Sequence, residues 1–294
     1  MAAYTTTRLL ESIERQSFSP ANQSTFSTAD ILALADEVTR IRLLKEVLSV
    51  REEFYVAYKD YTITASQSTY RFPARAIGMT LREIHVVSSD GTASNLPRWS
   101  IDKLHLISTS GEGVPEVFYI QGDDVILYPT PNSTTGTLRM YYRRRPSDLI
   151  ETSSAAVISA INTTTKVVTV TTIPSTWVTG NIFDFIQQDG SHKHLDIDLT
   201  STLVSGNDIT FSALPSQLAV GDYVALAGYT PVVQLPPDFQ PILSLLTAAE
   251  MISAMDQAKG DKLIARAELA INNARELINP RVDGELETIY PDWS

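Results

Sequence analysis

The chain has 294 residues, 43% hydrophobic and 19% charged, with no cysteine and a net charge of −11. This length holds two domains, or one domain with an insertion, and the composition is that of an ordinary globular protein. The lack of cysteine excludes disulfides, thiolate nucleophiles and thiolate zinc sites, and no stretch approaches the roughly 18 apolar residues of a membrane span.

The N-terminus, MAAYTTTRLL, has no apolar core of signal-peptide length, so a soluble protein with no membrane partner is expected. A short helix is predicted over Thr7 to Gln16. Ser27, with Asp30 three residues on, reads as an N-cap in a capping-box arrangement. Ile31, Leu34, Val38, Ile41, Leu44 and Leu48 then recur in steps of three and four, which predicts an amphipathic helix running to about Tyr58. Such a rod would be about 45 Å long.

After Tyr61 the period changes to two. YTITAS, TYRFPARAIG and LREIHVVSSDG read as strands or strand-turn pieces. EVFYIQGDDVILYPTP reads as a hairpin turning at Gln121–Asp124 and ended by Pro129 and Pro131. TLRMYYRRR returns as a third strand of a meander, with Leu138, Met140 and Tyr142 on one face and Arg139, Tyr141 and Arg143 on the other.

Residues 151–229 are rich in Thr, Val and Ser and contain a repeat. VTVTTIPSTWVTGNIFDFI (168–186) aligns without gaps on ITFSALPSQLAVGDYVALA (209–227), at a constant offset of 41. Two β units in tandem pack most simply as a small barrel or sandwich with pseudo-two-fold symmetry. Beyond VVQLPPDFQP, a helix is predicted through Ile242, Leu246, Ala249 and Ile252. A break at Lys259-Gly260-Asp261 precedes a second helix with Leu263, Ala267, Ala270, Ala274 and Leu277 on one face. The acidic tail ends with Tyr290 and Trp293, suited to docking on a neighbouring subunit.

The expected class is α+β. A helical bundle from both chain termini would carry an antiparallel β meander and an inserted small barrel or sandwich. The boundaries fall at 1–150 (helices and meander), 151–229 (inserted β module) and 230–294 (helices and tail).

The search for chemistry returns little. No phosphate-binding glycine loop, GxSxG or HExxH is present. In SHKHLDIDLT, His192, His194, Asp196 and Asp198 would share one side of a strand and could hold zinc or manganese. The plainer reading is the wet face of an amphipathic strand. His85 and His105 read as packed histidines, and Asp123-Asp124 as turn residues. No catalytic residue, cofactor or metal is assigned.

Arg143, Arg144 and Arg145 form the densest positive block. Residues 1–150 carry 16 bases matched by 17 acids, whereas 151–229 carry 2 against 7 and 230–294 carry 5 against 10. Matched bases suggest ion pairs rather than a phosphate-binding surface. The block has three readings: stacking on nucleic acid, a subunit interface made with carboxylates, or an exposed strand end without a role.

YRFPARAIGMTLREI, FYIQGDDVILYPTP, LRMYYRRRPSDL and QLPPDFQPILSLLTAAEM together resemble head-to-tail adaptor (connector) proteins of short-tailed bacteriophages. The resemblance starts near Ser27, omits 151–229 as an insertion, and resumes to about Leu277. It implies a helical bundle forming a homo-oligomeric, dodecameric ring under the portal, with C-terminal segments on the portal or on neighbouring copies. It also implies β parts meeting the tail nozzle or fibres, and DNA passing through without specific binding. The expected place is the virion head–tail junction, after synthesis in the host cytoplasm. Within that picture Arg143, Arg144, Arg145, Tyr290 and Trp293 are interface residues. The alternative is a peripheral tail protein with a carbohydrate-binding or fibre-docking β module. An enzyme such as a cell-wall hydrolase is a further rival, and no enzymatic activity is expected.

Overall fold

The computed structural model describes residues 4–17, 25–106, 111–134, 136–188 and 194–278, without the side chains of Met79, Leu104, His105, Leu106, His194 and Asp196. Helix and strand are segregated along the chain, which fits the α+β class. The chain divides into two compact units, Met1–Arg51 with Ser147–Ser294, and Glu52–Pro146.

Helix α1 (Thr6–Ser17) opens the first unit, followed by α2 (Thr28–Val38) and α3 (Leu44–Val50). Ser27 Oγ accepts from Asp30 N, and the Asp30 carboxylate accepts from Ser27 N at 3.0 Å, so the expected capping box is present. A π-helical turn, Thr39–Leu43, joins α2 to α3. Ile31, Ala35, Thr39, Leu43 and Val47 are buried, each four residues after the last. Steps of four overshoot an α-helical turn by about 40°. The wider π turn takes up part of that drift and keeps the seam on one side. The seam is therefore not the expected one, and Ile41, placed on it by spacing alone, is 68% exposed. The helix also stops at Val50 and not near Tyr58. Beyond it, Arg51-Glu52-Glu53 offers no apolar step, and the next segment finds a strand partner.

Among the described residues the second unit holds nine strands. Strands β1 (Val56–Thr62), β2 (Thr69–Arg71), β3 (Ala76–Val87) and β4 (Ala93–Asn95) come first. Strands β5 (Glu112–Gly113), β6 (Val117–Gln121), β7 (Asp124–Tyr128), β8 (Thr130–Pro131) and β9 (Thr137–Arg144) follow. They form one sheet ordered β1-β9-β3-β4, a second ordered β2-β7-β6, and a short β5-β8 pair. The β6–β7 hairpin turns where expected, with Gln121 opposite Asp124. The third strand does not extend it into a meander. Pro129 and Pro131 have no N–H for a ladder. The chain beyond Tyr128 leaves that sheet, and β9 inserts between β1 and β3. The β1–β9 register sets Asp60 against Arg139 and Tyr58 against Tyr141. Burial alternates along β9 as the sequence predicts, with Leu138, Met140 and Tyr142 inward.

Back in the first unit, β10 (Asp148–Leu149) pairs in parallel with β17 (Tyr229–Thr230). Between them lie β11 (Ala156–Asn162), β12 (Val167–Val170), β13 (Ile182–Ile186), β14 (His194–Ser205), β15 (Asp208–Phe211) and β16 (Tyr223–Leu226). These six close into a barrel ordered β11-β12-β15-β14-β13-β16. The 41-residue offset carries β12 onto β15, β13 onto β16 and β11 into β14. Exchanging the two sets leaves every neighbour relation unchanged, so the repeat is the pseudo-two-fold of a barrel. Gly180 and Gly221 occupy equivalent left-handed turns (φ +90° and +98°), and Asn181 and Asp222 each accept a backbone N–H from three residues earlier. Trp177, Phe183, Phe185 and Phe211 fill the interior.

Helix α4 (Gln240–Ser253) is buried on nearly every side and packs against α1, α2 and α5 (Gln257–Ile278). Ser12 and Gln16 of α1 both hydrogen-bond Ser244 of α4, at 3.1 and 3.0 Å. The expected break at residues 259–261 lies inside α5, and the chain turns earlier, at Ala254–Asp256, where Asp256 caps Lys259 N at 3.2 Å. Gly260 is a contact residue and not a breaker. A Cβ there would collide with Ser253 Oγ and stand 3.0 Å from Ser253 Cα. Ala267 and Ala274 continue this narrow seam, whereas Leu277, expected on the same face, is 79% exposed.

Candidate subunit interface

Strand alternation separates the three arginines. Arg144 has the parity of Leu138, Met140 and Tyr142 and is only 7% exposed. It lies beside Tyr55, whose backbone carbonyl accepts from Arg144 N at 2.7 Å. Burial pushes the Tyr55 phenol pKa up, and the Arg144 charge pulls it partly back. Arg143 points the other way and pairs with Glu52. Arg145 is exposed, and its backbone N–H donates to Arg75 O at 2.7 Å.

The outer face of β1, β9 and β3 is an aromatic and charged lattice. Arg139 donates twice to Asp60, at 2.8 Å each, and lies 4.4 Å from the Tyr58 ring centre. Tyr141 packs against Tyr58 at 5.9 Å and against His85 at 5.1 Å. His85 Nε2 is 3.1 Å from Glu83, and Arg82 pairs with Glu53. Exposed ion pairs contribute about 0–1 kcal/mol each, so they fix side-chain directions more than they stabilise. The sequence reading saw this face's alternation and missed its contents. The register partners of Arg139, Asp60 and His85, sit 79 and 54 residues away on other strands. Residues 52–146 hold ten bases and ten acids, so the whole −11 falls on the first unit.

Tyr290, Trp293 and His192 lie outside the described residues. His194 and Asp196 are on β14, opposite Ile186 and Phe185. The expected one-sided row is interrupted, because Asp198 is left-handed (φ +64°) and register shifts occur beside it. Its N–H donates to buried Asp184 at 3.1 Å. Among the described residues no three His, Asp or Glu side chains converge on a metal-sized site. Trp177 is 5% exposed and meets Phe183 edge-on at 4.8 Å, inside the barrel.

Asp36, which nothing in the sequence singles out, joins α2 to β10. Both its carboxylate oxygens accept from Leu149 N, at 3.1 and 3.0 Å. Burial raises its pKa to about 6, against the lowering effects of that N–H and of Arg40, which itself pairs with Asp148. The folded chain therefore holds this proton more tightly than the unfolded chain, whose Asp titrates near 3.8. Stability from this site is full below about pH 4 and is lost as pH rises through 6. Asp36→Asn keeps the acceptor and removes the charge. Urea titrations at pH 5 and 7.5 are expected to shift the wild-type-minus-variant difference by about 1.4 kcal/mol, favouring the variant at pH 7.5. A difference independent of pH would refute the assignment.

The family model described as SU10 adaptor protein matches residues 7–180, more than half of the chain. The chain belongs to the SU10 adaptor protein family. Membership makes it a phage structural protein of adaptor type and a virion component. No curated protein matches the chain. The family match starts in α1, earlier than the resemblance drawn from short motifs. It runs on into the β module as far as Gly180, so the first part of the barrel falls inside the family span. As an SU10 adaptor family member, the chain carries its sheet unit and arginine run wholly within that span.

Proposed function

We propose that this SU10 adaptor family member forms a ring, a dodecamer, that joins the portal to the tail at the head–tail junction and lines the DNA exit channel. The family match over 7–180 carries the reading. The packing of α4 against α1 and α2 supports a helical bundle built from both ends of the chain. The role needs no catalysis and no cofactor. An exit channel must release DNA, and a first unit bearing all the net negative charge repels phosphate. The portal and the tail nozzle or fibres are the partners on either side, with Tyr290 and Trp293 at an interface. A peripheral carbohydrate-binding role gains no support from a barrel whose Trp177 is buried.

Head-to-tail contacts in a ring bring two different surfaces together. Arg145 is the member of its run left exposed, and it faces a neighbour's acidic surface in this reading. Arg145→Glu is expected to lower ring assembly at least about tenfold in sedimentation, with an unchanged melting profile of the unassembled chain. Wild-type assembly by that variant would remove Arg145 from the interface.

A further inference from the structure

The first unit consists of two halves, and neither is complete without the other. One half contributes α1–α3 and β10–β13, the other β14–β17, α4 and α5. In the barrel, β13 takes both its neighbours, β14 and β16, from the second half. β16 takes both of its own, β11 and β13, from the first. β12 meets β15 across the halves as well. Within itself each half has one strand pair of the barrel, β11–β12 or β14–β15. The core is shared in the same way, with Phe183 and Phe185 of the first half meeting Phe211 of the second at 6.0 and 5.2 Å. Outside the barrel β10 pairs with β17, and α4 packs on α1 and α2, where Ser12 donates to Ser244 at 3.1 Å.

The halves are joined covalently once, through residues 187–193. Each of these contacts can therefore be made by the corresponding half of a second molecule, with no change in the residues that meet. Concentration decides between the two. A tether of this length gives one half an effective concentration of about 1 mM at the other. A second copy competes once the chain itself approaches that concentration. Exchange of this kind is a low-cost route to a dimer, because it needs no new interface.

We propose that copies of this chain exchange halves. Strands β10–β13 and helices α1–α3 of one molecule close on β14–β17, α4 and α5 of a second copy, and the reverse, giving a dimer with two complete barrels. The surface that receives the second copy is the one each monomer buries within itself, along β12, β13 and α1. The exchange involves two copies and no portal, so it does not depend on the ring reading.

The chain has no cysteine, so introduced thiols report the exchange directly. Thr169 and Asp208 face each other across β12 and β15, their side chains joined by a 2.6 Å hydrogen bond. One step along, Val170 N donates to Asn207 O, so Thr169 and Asp208 form the closer, non-hydrogen-bonded kind of pair, within disulfide reach. The full-length double variant T169C/D208C is expected to close this disulfide within the monomer, which verifies the register. T169C and D208C are then carried singly on full-length molecules of different mass, unfolded in urea, refolded together at about 0.5 mM and oxidised. I41C with D208C is the control, since Ile41 lies on the helices and, at 68% exposed, is open to random collision. The T169C–D208C heterodimer is expected to exceed the control about tenfold, and to fall about tenfold when refolding is about tenfold more dilute. Heterodimer no more abundant than the control, with the double variant closed as expected, would overturn the proposal.

Discussion

Replacing Arg144 by glutamate is expected to unfold the sheet unit, whereas the same change at Arg145 leaves it intact. Arg144 is 7% exposed and lies in register with Tyr142 and Met140, on the buried side of β9. Tyr55 stands beside it, with its phenol held protonated by burial. A carboxylate at that place would be desolvated and would face groups arranged around a cation. Breaking a buried charge arrangement from one side costs about 3–5 kcal/mol. Arg145 reaches solvent, and reversing an exposed charge stays within about 0.5 kcal/mol. Hydrogen exchange across β1, β3 and β9 separates the two outcomes. Equal protection in both variants would contradict the burial assigned to Arg144.

Phe183→Ala is expected to remove the barrel as a cooperative unit. Phe183 is fully buried and contacts Trp177 at 4.8 Å and Phe211 at 6.0 Å, both edge-on. Truncating such a ring costs about 3–5 kcal/mol, from lost transfer energy and the cavity left behind. The cost cannot be confined to one repeat. Strands from the two repeats interleave around the barrel, with β12 beside β15 and β13 between β14 and β16. Val178→Ala is the control, since Val178 is 57% exposed and should change stability by no more than about 0.5 kcal/mol. Denaturant titration followed by tryptophan fluorescence reads both. Similar midpoints would mean that Phe183 does not anchor the barrel.

What the sequence disclosed and what it hid follow from the range of the interactions involved. The capping box is a contact over three residues, and the barrel repeat is an ungapped alignment, so both are local and legible. Alternation along 138–144 was also legible, and carrying it one residue further would have placed Arg144 with the buried set. Strand order was hidden because it depends on which distant edge accepts β9. Asp36 was hidden for the same reason, since its partner Leu149 lies 113 residues away. The helix end at Val50 and the π turn were missed because a spacing rule assumes one constant pitch. Gly260 looked like a breaker because glycine weakens helices in isolation, and the close approach of α5 to Ser253 overrides that preference.

The ring claim is tested most directly by electron micrographs of the purified chain, alone and mixed with portal. The account predicts annular particles of about twelve copies once portal is present. Compact monomers in both samples would contradict it.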